Sequence, residues 1–68
     1  MNDEELINSL KYLIIKYIDD NERESVLDYL KMQDIPVKGI LSDINKYKTK
    51  EIESSDGGLI KNIYYYFC

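Results

Sequence analysis

The sequence predicts an α+β domain in which three short helices are followed by a C-terminal β-hairpin. Two observations carry this. Up to about residue 48 the apolar residues recur every three and four positions, the period of a helix with one buried face. Beyond Thr49 the chain turns to a stretch rich in Ile and Tyr, interrupted by a glycine pair. At 68 residues the chain makes one domain, 1–68, with a small core, since a domain of this size buries only about 60% of its unfolded surface.

The first helix is expected over 3–18. Leu6, Leu10, Leu13, Ile14 and Tyr17 share a face, and Ile7, Ile15 and Ile18 widen it. Asn2 and Glu5 have the spacing of an N-cap and its N3 partner. Asp19-Asp20-Asn21 ends the helix, because acids at a helix C-terminus oppose the macrodipole. A second helix is expected over about 22–33, capped by Asn21, with Val26, Leu27 and Leu30 as its apolar face. Asp34-Ile35-Pro36 breaks the chain. Proline is tolerated in a first helical turn, so a third helix is expected from 35 to about 48 with Asp34 as its cap. Its core face is Val37, Ile40, Ile44 and Tyr47, which leaves Lys38, Gly39, Ser42, Asn45 and Lys46 on the opposite side.

The hairpin is expected from strands at 50–54 and 59–67. Ser55-Asp56-Gly57-Gly58 supplies the turn, since Asp-Gly and Gly-Gly accept positive φ. On the second strand Leu59, Lys61, Ile63, Tyr65 and Phe67 share one face, and Ile60, Asn62, Tyr64 and Tyr66 the other.

Composition excludes several functions. No stretch approaches the roughly 18 apolar residues of a membrane span, so no membrane association is expected. The acidic start (Asp3, Glu4, Glu5) is the reverse of a signal peptide's, which points to an intracellular protein, in cytoplasm or nucleus. The single cysteine, Cys68, allows no internal disulfide, and without His there is no His-dependent triad. No cofactor motif or phosphate loop is present, so neither an enzyme nor a bound cofactor or metal is expected. Ten Ile, eight Lys, seven Tyr and five Asn with no Ala match the codon bias of an AT-rich genome, such as that of a virus, phage, mobile element or low-GC bacterium.

Charge is uneven. Residues 1–35 hold nine acids and four bases, a net of −5. Residues 36–68 hold five bases and four acids, a net of +1, and within 36–50 four lysines face one Asp43. A local basic segment thus sits in a chain of net charge −4.

Three short helices and a hairpin in this order resemble the winged helix-turn-helix, whose third helix enters a nucleic-acid groove and whose hairpin is the wing. The length, and the break before the third helix, are similar to the small Z-nucleic-acid-binding domains of viral and interferon-response proteins. That family carries a Lys, an Asn and a Tyr on the third helix and a Pro-Pro-x-Trp run in the wing. With Ile40, Ile44 and Tyr47 in the core positions, Leu41 stands at the Asn position and Asn45 at the Tyr position. The wing, Gly57-Gly58-Leu59-Ile60-Lys61, has no Pro or Trp. The resemblance therefore implies a winged-helix fold without the residues that read the Z form.

The resulting expectation is a non-enzymatic winged-helix module that binds nucleic acid in a regulatory role. Lys38, Ser42, Asn45 and Lys46 are the reading face, since Lys binds phosphate while Asn and Ser bond base edges or phosphates. Lys48, Lys50 and Lys61 extend the basic surface from helix end to wing. An ordinary solvated helix face has the same pattern, and Asp43 favours that reading. The alternative is a protein-interaction module, an antagonist of a host or bacterial factor. It would use its acidic first half, or Tyr64 and Tyr66, because Tyr is enriched at interaction hot spots. A homodimer is compatible with either. The run Asp19, Asp20, Glu22 and Glu24 reads as a solvated loop and helix start rather than a phosphate mimic or cation site, lacking the spacing of a calcium loop.

Overall fold

A computed structural model describes all residues, Met1–Cys68. It is all-helical: 76% of the chain lies in helices and there is no sheet. Four helices follow one another, α1 (Asp3–Tyr17), α2 (Asp20–Asp28), α3 (Val37–Tyr47) and α4 (Ser54–Phe67), with one 3₁₀ turn at Tyr29–Lys31 after α2. The molecule is flat, 27 × 27 × 16 Å, about two helix layers thick. No helix is long and apolar enough to cross a membrane.

The hairpin, and with it the winged-helix class, is corrected: residues 54–67 form a helix. The helical period is present there. Asp56, Ile60, Ile63 and Phe67 recur at four, three and four, and Ile63 is fully buried. Gly57 and Gly58 do not turn; neither has positive φ, and both lie in the first turns of α4. Two helical glycines cost roughly 1 kcal/mol each relative to Ala. Tertiary bonds at Asp56, described below, hold this helix start in place.

Helix α1 is the axis of the fold, packing against α2, α3 and α4. It buries Leu6, Leu10, Leu13, Ile14 and Tyr17, the expected stripe, while Ile15 stays exposed. Its expected cap is present: Glu5 N donates to Asn2 Oδ1 at 2.8 Å. α2 starts earlier than expected, with Asp19 rather than Asn21 as its cap: Asn21 N donates to Asp19 Oδ1 at 2.9 Å. Arg23 then pairs with Asp20 at 2.7 Å and donates to Ile18 O at 3.1 Å. These bonds account for part of the acidic run as ordinary helix-start chemistry.

α3 begins at Val37 instead of 35. Pro36, not Asp34, takes the N-cap position, and Ile40 N donates to Pro36 O at 2.9 Å. Its buried residues are Ile40, Leu41 and Ile44, with Val37 and Tyr47 half-buried. Leu41 is the addition, turned inward because α4 lies beside this helix where a wing had been expected. The ends of α1 and α3 are tied by an antiparallel bridge between Ile18 and Lys48, in which Thr49 N donates to Tyr17 O at 2.8 Å and Asp19 N to Tyr47 O at 3.3 Å.

Candidate functional site

The most heavily bonded side chain is Asp56, the one charged residue in the buried set, at 4% exposure. It sits in the first turn of α4, where an acid also complements the helix dipole. Its carboxylate accepts from Tyr17 Oη at 2.5 Å, Lys16 Nζ at 2.8 Å and Tyr12 Oη at 2.9 Å, all from α1. Tyr17 Oη in turn accepts from Glu53 N at 3.1 Å, so one hydroxyl serves both the carboxylate and an otherwise orphaned helix-start amide. Lys16 also pairs with Glu53 at 3.0 Å and donates to Tyr12 Oη at 3.0 Å.

These partners shift each other's protonation. The Lys16 ammonium, then the Tyr17 hydroxyl, hold the Asp56 carboxyl down at about 2. The bond to Asp56, followed by that to Tyr12, raises Lys16 well above the ordinary lysine value. Burial, then the bond to Asp56, raises the Tyr17 phenol. A carboxylate this acidic, bonded to three donors, is a poor proton acceptor, and the phenol beside it is a weaker acid than usual. The cluster is a polar knot that fastens α4 to α1. The sequence does not show it, because Ser55-Asp56-Gly57-Gly58 carries the residues of a turn. The available signal was Tyr12 and Lys16, which i,i+4 spacing brings to one side of a helix, with Tyr17 next to Lys16 in the chain.

The other face of α4 is open. Between α3 and α4 runs a groove of about 320 Å³, lined by Leu41, Ser42, Ile44, Asn45, Ile52, Ile60 and Tyr64. Its floor is aliphatic and its polar groups belong to Ser42, Asn45 and Tyr64. The structure thus joins two of the expected nucleic-acid residues to one of the expected partner residues. Tyr64 is 44% exposed, leaving its ring free on one side.

The remaining candidates distribute as follows. Lys38 and Lys46 are exposed on α3, in i,i+4 relation to Ser42, and neither has a carboxylate partner. Lys46 lies over the Tyr47 ring at 5.2 Å. Lys48 donates to Asn45 Oδ1 at 3.2 Å, which puts its ammonium at the groove's edge, and is 3.9 Å from Glu51. Lys50 belongs to the knot: it is 3.7 Å from Glu53 and over the Tyr17 ring at 5.7 Å. Lys61 is exposed in the middle of α4, on no wing. Tyr64 and Tyr66, expected on one strand face, lie about 200° apart on a helix, so they do not form a pair. Tyr66 instead stacks edge-on with Tyr65, centroids 5.0 Å apart. Cys68 is exposed and free.

The chain matches no known protein family, no curated protein and no solved structure.

Proposed function

We propose that this domain is a protein-interaction module whose contact surface is the groove between α3 and α4. The observation that carries this is the groove's aliphatic floor of Leu41, Ile44, Ile52 and Ile60, set beneath the half-exposed Tyr64 ring. A partially exposed apolar cleft with an aromatic wall and a few hydrogen-bonding groups is what an anchoring side chain of a partner fills. Phosphates have no use for such a floor. Catalysis is not part of the reading, because the best-organised polar cluster has its lone pairs and protons committed to helix docking.

A nucleic-acid reading has its own support in Lys38, Ser42, Asn45 and Lys46, all exposed on α3. It is the second choice because the chain's net charge is −4 and half-buried Asp43 flanks the face.

One experiment separates the two. Wild-type domain and the variants Ile60→Ser and Tyr64→Ser are immobilised and exposed to extract of the source cells, and the same proteins are titrated with duplex DNA and RNA at low salt. The interaction reading expects a saturable protein partner that both variants lose, and no nucleic-acid binding. Binding to DNA or RNA that falls steeply with salt and disappears in Lys38→Glu with Lys46→Glu would replace it with the nucleic-acid reading.

A further inference from the structure

We infer that the α3–α4 groove takes an acidic amphipathic segment of its partner: one or two bulky apolar side chains in the cleft, flanked by Asp and Glu. The inference rests on the protein-interaction reading and adds the partner's chemistry.

Size sets the apolar part. About 320 Å³ lies at the low end of ligand cavities. A whole helix, about 10 Å across, would not enter; its anchoring residues would. The mode is a helix or extended segment lying along the cleft, with anchors directed at Ile44, Ile52 and Ile60. α3 has 11 residues and so offers a wall about 16 Å long, enough for two anchors one turn apart.

Charge sets the rest. The groove is bordered by lysines. Lys38 precedes Ser42 by one turn and Lys46 follows it by one turn, Lys48 is bonded to the groove's Asn45, and Lys61 is three residues before Tyr64 on the opposite wall. Lys38, Lys46 and Lys61 have no ion-pair partner. The nearby acids are few: Asp43 is half-buried and Glu51 stands by Lys48. The bulk of the chain's carboxylates, nine of thirteen, lie within residues 1–35, in or beside α1 and α2. The groove is therefore a basic-rimmed apolar cleft on an acidic molecule. Such a cleft attracts an acidic segment locally while the net charge disfavours non-specific polyanion binding. Polar donors complete the fit. Asn45 accepts from Lys48 through Oδ1, which leaves its amide N–H groups free, and Ser42 and Tyr64 add hydroxyls for the carboxylates or carbonyls of the segment.

The test uses the full chain, ¹⁵N-labelled, and three synthetic peptides of about 15 residues with one shared Leu/Phe pattern, long enough to hold a helix. Their remaining positions are Glu/Asp, Lys/Arg or Ser/Gln. Binding is followed by amide shifts and by fluorescence anisotropy at low and high salt. The acidic peptide should shift amides of residues 41–45 and 60–64, bind at least about tenfold more tightly than the basic one, and weaken as salt rises. Lys38→Glu combined with Lys61→Glu should cost about tenfold in Kd for the acidic peptide. Their side chains are exposed, so the fold should be retained, and unchanged amide dispersion verifies it. Equal binding of the neutral or basic peptide in the groove overturns the acidic preference and leaves the protein-interaction reading standing. Failure of the acidic peptide to perturb the groove at millimolar concentration overturns the inference, as does concentration-dependent self-association through these residues. Duplex DNA or RNA perturbing α3 when no peptide does overturns both the inference and the reading beneath it.

Discussion

The two faces of α4 are held in opposite ways. Toward α1, one buried carboxylate is bonded to three side chains and its neighbouring helix-start amide is bonded to Tyr17. Every one of these contacts is directional, so they define where α4 starts and how it is oriented. Toward α3, the same helix offers Ile60 and Tyr64 to a cleft that stays partly open. Contacts there are aliphatic and non-directional, and much of the surface remains wet. The difference shows how a domain of 68 residues can keep an open apolar cleft at all. Its small core takes Ile63 of this glycine-rich helix, with Leu59, Ile60 and Phe67 packed against it. A charged knot adds directional bonds to that packing, and leaving any of its buried groups unpaired would be severe. The cleft is then left open, as the proposed contact surface requires.

Removing the knot should give the largest effect. Asp56→Ala leaves Tyr12, Lys16 and Tyr17 without their shared acceptor and frees the start of α4. The helical circular dichroism signal should fall by about the share of its 14 residues, and amides 57–67 should lose exchange protection. Tyr17→Phe keeps the ring but removes the hydroxyl that links Glu53 N to Asp56, and should produce a milder form of the same loss. Full helicity in both variants would show that the apolar contacts of Ile63 suffice to hold α4.

Acid should act on the knot and not on the cleft. Asp56 falls from an ordinary value of 3.8 to about 2, so its contribution to stability is complete above pH 4 and is lost as pH falls through about 2. Lys16 and Tyr17 are raised, so theirs is complete below pH 10 and is lost only in stronger base. The denaturant midpoint of the wild type should drop between about pH 4 and 2. Asp56→Asn should show a shallower acid limb, because the titrating group is gone. No titratable group other than Tyr64 lines the cleft, so groove variants should keep the wild-type limb. Identical acid limbs in Asp56→Asn and wild type would remove Asp56 from this account.

Smaller effects sharpen the contrast. A Cβ added at Gly57 or Gly58 meets nothing within 4 Å, and both residues are helical. Gly58→Ala should therefore stabilise the domain by about 0.5–1 kcal/mol, read as a shift in denaturant midpoint at constant slope. A loss would mean that the backbone there departs from helix. Least of all, Tyr64→Ser should change stability by no more than about 0.5 kcal/mol, since the residue is 44% exposed. A cost of several kcal/mol would make the cleft part of the core and not a surface in reserve.

Much of the first three helices was legible in the chain. The α1 stripe, the Asn2 cap, the buried Ile40 and Ile44 and the solvent-facing Lys38, Ser42, Asn45 and Lys46 follow from local periodicity, because a helix face repeats every three to four residues whatever it packs against. Residues 54–67 were not read correctly. Glycine pairs, Ile and Tyr are favoured in turns and strands, and these propensities hid a three-to-four spacing running from Asp56 to Phe67. The misreading carried the candidate site with it. Lys61 lost its wing and Tyr64 its supposed partner Tyr66, while Tyr64 gained Ser42 and Asn45 across the cleft.

By itself the sequence determined the helical faces of residues 3–17 and 37–47, the acidic first half and the lysine-bearing second, because these depend on residues near one another in the chain. In 54–67 the local signals conflict, a glycine pair and Ile/Tyr content against a three-to-four spacing, and tertiary structure decided for the helix. The bonds that seat Asp56 run to Tyr12, Lys16 and Tyr17, about forty residues away, and link groups whose local preferences say nothing of one another. The cleft is likewise a product of that docking: Ile60 and Tyr64 meet Leu41 and Asn45 only once the charged knot has set the angle of α4.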